Sequence, residues 1–181
     1  VQVLREIYVR YYFKNVANKK NINNQDIKKI DDKKIKEPGI NYNQLYDPTV
    51  PAWKEAWKIT ETIIKLMNND IRDKKKNFIV VTLSNSVQAH PDFFYREKFK
   101  KTSGINDLFY PDKRIKNLGD KEDFLVINLA KKFQEYAEQK NSFLHGFNNL
   151  NEGEGHWNDE GHKIASEIIS QKICQNFAFF Q

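Results

Sequence analysis

The sequence holds one cysteine, Cys174, which excludes an internal disulfide and a cysteine-rich metal site. Cys174 falls on the apolar side of a predicted C-terminal helix, so a buried structural thiol is expected. No apolar run approaches the ~18 residues a membrane span requires, which excludes a transmembrane segment within this chain. The first residues carry Arg5 and Arg10 rather than a signal-peptide core. The chain opens on Val1 and not Met, which suggests a processed or truncated product with any targeting segment upstream. The compartment is left open, an extracytoplasmic one included.

Charge of one sign is also lacking, since 30 Lys and Arg are interspersed with 24 acids for a net +6. The most basic run, "KNVANKKNINNQDIKKIDDKKIKE", has eight Lys against four acids but neither Arg nor an aromatic ring. A nucleic-acid footprint interleaves aromatics with clustered Arg and Lys, so a nucleic-acid partner is not expected. There is no internal repeat. With 39% hydrophobic residues and 13 Phe, 8 Tyr and 3 Trp, a folded globule is implied, and 181 residues suit one core.

Apolar spacing organises the chain. Residues 1–13, "VQVLREIYVRYYF", have the period of an amphipathic helix. The polar stretch that follows is broken by Pro38-Gly39, Pro48 and Pro51, and it reads as a long surface loop or insertion. Residues 1–51 thus form an N-terminal helix plus a Lys/Asn-rich loop, and residues 52–181 the α/β part.

From Ala52 a helix is predicted with Trp53, Ala56, Trp57, Thr60, Ile63, Ile64 and Met67 on one face. "NFIVVTLSN" and "FLVINL" are continuous apolar runs that suit strands buried on both faces. "DFFYREKFKKTSG" is a short helix candidate, "INDLFYPDKRIKNLGDKED" a loop, and "AKKFQEYAEQKN" a further helix. Ile164, Ala165, Ile168, Ile169 and Ile173 form the stripe of a terminal helix. The fold class is α/β with a parallel sheet. Two strands cannot cover their own faces, so either a weak strand is hidden or the chain supplies part of a larger sheet.

Glycine and histidine are scarce, 7 and 4 in all, yet "GEGHWNDEGH" concentrates three of one and two of the other. Asn158 suits a helix N-cap, with Asp159 and Glu160 in the first turn where the helix dipole favours acids. Gly161 there implies a close backbone approach. His156 and His162 are six apart, whereas two helix-borne metal ligands need i,i+4 spacing, so no metal is expected. A histidine ahead of a cap at the carboxyl end of a parallel sheet can serve as general base, oriented by a carboxylate. Glu154 is the local candidate and Glu152 a weaker one. A loop histidine bonded to its own backbone is the competing reading.

"GHWNDEGHKIASEII" resembles the last sequence block of the SGNH/GDSL-type hydrolases. "VVTLSNSVQAHPD", "LFYPDKRI" and "FLHGFNN…GEGHWN" are similar to the C-terminal half of such proteins, in the same order, over roughly residues 52–175. The resemblance implies a three-layer α/β/α fold, here its later strands and C-terminal helix. It also implies a serine nucleophile that cleaves or transfers ester (O-acyl) groups without a cofactor, with His156 as base. The substrate would be a small-molecule or glycan ester.

The chain departs from this pattern in two places. The commonest spacing puts Asp where Gly153 stands, while a related branch has an acid where Glu154 stands. The Gly-Asp-Ser nucleophile block is absent, and Ser84 and Ser86 follow the wrong strand. "GIND", residues 104–107, matches a family block literally but reads as a turn. His90 and His145 read as loop and turn residues, and Trp157 as a core or rim aromatic. A non-catalytic binding module on a degenerate fold of this type is the alternative.

Overall fold

The computed structural model describes residues 43–49, 51–146 and 153–177. The helix expected over residues 1–13, the Lys/Asn-rich run and Glu152 lie outside them. Among the described residues there are five α-helices, one 3-10 turn (Asn43–Leu45) and a two-stranded parallel sheet. The order is α1 (Pro51–Asp73), β1 (Ile79–Thr82), α2 (Phe93–Ser103), α3 (Tyr110–Glu122), β2 (Leu125–Asn128), α4 (Ala130–Lys140) and α5 (Asp159–Asn176).

β1 and β2 pair from Ile79 with Leu125 to Thr82 with Asn128. Side chains alternate across the sheet, and the two faces pack on different helices. Val80 and Val126 meet Trp57 of α1 and Ile115 of α3. Ile79, Val81, Leu125 and Ile127 join Phe133 and Ala137 of α4 with Ile164 and Ala165 of α5. Phe133 and Ala137 are fully buried, so this second cluster is the centre of the core.

α3 corrects the loop expected at residues 105–123. Pro111 and Gly119 look like breakers, but each has a use in this helix. Pro111 lies in the first turn, where its missing N–H costs nothing. Gly119 faces β2 so closely that a Cβ there would stand 2.3 Å from a methyl of Val126. The helix ends on Asp123 in the left-handed region (φ 57°), whose N–H caps the Gly119 carbonyl.

Two other expectations are overturned. Of the stripe expected on α1, Trp57 and Ile64 are covered, but Ile63 and Met67 are about half exposed (48% and 52%), because α1 turns Trp57, Ile64 and Asn68 toward α3. Asn68 Nδ2 fixes that choice with a 2.8 Å bond to the Glu122 carbonyl. Cys174 is exposed, since the covered stripe of α5 runs through Ile164, Ala165, Ile168, Ile169 and Ile173 and leaves the next residue turned outward.

Candidate functional site

Each strand ends on a polar residue, and these ends carry a buried network. Thr82 Oγ1 lies 2.6 Å from Asp112 Oδ1 and 2.9 Å from Asn128 Oδ1, sharing its one proton between them. Asn128 Nδ2 donates to the Asp112 carbonyl (3.1 Å). Gln88 Nε2 donates to Asp112 Oδ2 (2.9 Å) and to the Leu108 carbonyl (2.7 Å). Burial pushes the Asp112 carboxyl above the usual carboxylate range, against the bonds from Thr82 and Gln88. These contacts tie the carboxyl ends of both strands to the start of α3.

Just beyond β1 stands Ser84, buried, and the His156 loop is fastened to it. Trp157 Nε1 donates to Ser84 Oγ at 3.0 Å. His145 Nε2 lies 3.3 Å from the Ser84 carbonyl and must be the donor, because a carbonyl only accepts. His145 is 3% exposed, and its pKa is lowered chiefly by burial, with His156 nearby adding to the effect.

The loop itself is a narrow antiparallel return. His145 bridges Trp157, Gly146 N donates to the His156 carbonyl (2.9 Å), and Gly153 N donates to the His145 carbonyl (3.0 Å). The return leads into α5 through Asn158, whose side chain accepts from Gly161 N (2.9 Å) and donates to the Phe143 carbonyl (2.8 Å). That is the expected N-cap, held at both ends. Gly161 packs as expected: a Cβ there would lie 2.4 Å from the Leu144 carbonyl oxygen.

Glu154 and His156 are both exposed on this loop, Glu154 between Gly153 (φ 82°) and Gly155 (φ 77°) and His156 just after them. Both glycines adopt the left-handed conformation, which side-chain-bearing residues disfavour. A Cβ at Gly153 would also stand 2.8 Å from the Phe143 ring. An acid at that position is therefore closed off twice, and among the described residues ahead of His156 the carboxylate beside it is Glu154.

The remaining sequence candidates separate from the loop or join its rim. His90 stacks on Tyr95 (centroids 3.8 Å apart) and meets the Phe143 edge (5.1 Å), while its Nδ1 accepts from Asp92 N (3.1 Å). It is a rim residue held by its own turn. His162 lies inside α5, and its ring meets Trp157 edge-on at 5.5 Å. Among the described residues, no group of three or more His, Cys, Asp or Glu could hold a metal ion. "GIND" is a turn: Gly104 caps α2 at φ 69° and Asp107 Oδ1 accepts from Phe109 N at 2.9 Å.

The Thr82–Gln88–Asp112–Asn128 network escaped the sequence reading. Its one local signal is that both apolar strands finish on a hydrogen-bonding residue. No protein-family model, curated protein or solved structure matches this sequence.

Proposed function

We propose that this chain forms the later part of an SGNH/GDSL-type domain, three-layered α/β/α, that acts on ester (O-acyl) bonds. In this reading a serine from outside the chain attacks the ester carbonyl, and His156 takes the hydroxyl proton. Glu154 orients the imidazole, and backbone N–H groups hold the oxyanion. Collapse of the tetrahedral intermediate expels the alcohol, which leaves with the proton from His156. The acyl-serine then passes its acyl group to water or another hydroxyl.

The observation that carries the reading is the fastening of the His156 loop to Ser84, two residues past the carboxyl end of β1. In open α/β sheets that edge is where substrates bind. A larger sheet is supported by β1, whose Ile79, Val80 and Val81 are only half-buried and pair on one side among the described residues.

Ser84 favours a second reading, a non-catalytic binding module on a degenerate fold. Its hydroxyl is buried against the Trp157 indole rather than offered to a substrate.

Hydrolysis of p-nitrophenyl acetate by the longest natural protein containing this chain separates the readings. His156→Ala is expected to lower kcat by about 10⁴–10⁶-fold and Ser84→Ala to leave turnover largely intact. Unchanged turnover in His156→Ala would refute the base assignment. Robust turnover by this chain alone, abolished at Ser84 or Ser86, would refute an external nucleophile.

A further inference from the structure

A cleft of about 640 Å³ lies away from the His156 loop, between the segment entering α1 and the connection from α2 to α3. Tyr46 and Asp47 form one wall, Trp53 of α1 and Tyr110 of α3 contribute rings, and Asn106 and Asp107 form the opposite lip. Most of its lining is apolar, with polar groups from Asp47 on one side and Asn106 and Asp107 on the other.

The parts are held in place by their own bonds. Tyr46 Oη donates to the Ser103 carbonyl at 2.8 Å, anchoring the first wall to the end of α2. Leu45 beside it is buried among Val87, Ile105 and Leu108. Tyr110 Oη accepts from Arg114 Nη1 (2.5 Å). Arg114 is itself fixed by Glu61 (2.5 Å) and by the Trp57 ring (4.8 Å). Asp107 takes Phe109 N on one oxygen and Lys113 Nζ on the other (2.7 Å). A ligand therefore meets rings and acceptors already in position, which lowers the ordering cost of binding.

Charge narrows the ligand. Two carboxylates at the cleft repel an anion. A cation competes with Lys113 for Asp107. A purely apolar ligand would strip water from Asp47 and Asn106 without replacing its hydrogen bonds. A pyranose ring meets every requirement: its C–H face packs on an aromatic ring, and its vicinal hydroxyls donate to carboxylates and pair with an amide. We propose that this cleft binds a neutral hexopyranose, free or within a glycan. The proposal stands apart from ester cleavage, because binding is read without turnover.

The test is titration of the full chain with glucose, galactose, N-acetylglucosamine and, separately, tetramethylammonium, followed by ¹H–¹⁵N chemical shifts and the Trp53 indole resonance. At least one sugar is expected to saturate in the millimolar range, with shifts confined to residues around Trp53 and Asn106. Trp53→Ala should weaken binding at least about tenfold, and Asn106→Ala and Asp47→Asn about three- to tenfold each. Asn106 is an exposed loop residue, so its variant keeps the test open should Trp53→Ala fail to fold. The absence of saturable shifts with all three sugars would overturn the proposal. So would sugar binding indifferent to both Trp53→Ala and Asn106→Ala. Saturation by tetramethylammonium alone, lost in Asp47→Asn, would reassign the cleft to organic cations.

Discussion

Replacing Gly161 with alanine pits helix propensity against packing, and the two give opposite signs. Gly161 lies in the first turn of α5, where the substitution would by propensity alone gain up to about 1 kcal/mol. The new Cβ, however, would stand 2.4 Å from the Leu144 carbonyl oxygen and 3.0 Å from the Trp157 Cβ. An unstrained carbon–oxygen contact is about 3.3 Å, so the start of α5 must move by roughly 0.9 Å. The Leu144 carbonyl is backbone and cannot rotate aside.

That carbonyl also accepts from Asn158 N (3.1 Å), the residue that caps the helix. Forced overpacking costs about 1–3 kcal/mol, and a weakened buried hydrogen bond about 1 more. The balance is a loss of about 2 kcal/mol, a fall of roughly 4–8 °C in Tm for a chain of this size. Thermal unfolding followed by circular dichroism measures it. Gly104→Ala is the comparison, because a Cβ at Gly104 meets nothing within 4 Å. Its left-handed backbone alone should cost about 1 kcal/mol. A Gly161→Ala protein with unchanged or raised Tm would refute the close approach of α5 to the His156 loop.

Two further outcomes concern buried titrating groups. His145 has a folded pKa below its ordinary 6.5, so it binds fewer protons folded than unfolded. Its contribution is complete above pH 6.5 and lost as pH falls through the lowered folded value; urea midpoints should drop from pH 7 to 5, less so in His145→Gln. Asp112 has the opposite sign: its folded pKa is raised above 3.8, so its contribution is complete below that pH and lost as pH rises through the folded value. Asp112→Asn removes the charge but turns an NH2 toward one of the two donors, so it should lose about 1–2 kcal/mol at neutral pH, while Asp112→Leu, which leaves both Gln88 and Thr82 short of an acceptor, loses about 2–3 kcal/mol in urea unfolding.

What could be read from the sequence was local. The runs through Ile79–Val81 and Leu125–Ile127 are apolar without alternation, which a strand covered on both faces requires, and both are strands. Asn158 and Gly161 declared a helix start because capping is settled within three residues. α1 was harder, because its apolar face is broad and periodicity cannot say which side of it is covered. The covered stripe is the one through Trp57, Ile64 and Asn68, fixed by the bond from Asn68 to Glu122, 54 residues away in sequence. The network around Asp112 joins residues 30, 24 and 16 apart, and no local pattern encodes such separations.

Gly153 joins the local and the distant. In the proposed SGNH/GDSL-type reading it is a glycine where an acid is commonest. Its φ of 82° and the Phe143 ring 2.8 Å from where a Cβ would sit give that departure a structural cause. Phe143 is itself held in the packing of His90, so the ring that excludes an acid at 153 belongs to the rim of the same loop. Among the described residues of the loop ahead of His156, the acid left to orient it in the proposed mechanism is Glu154. Gly153→Asp, though it restores the commoner spacing, would have to break the turn that presents His156.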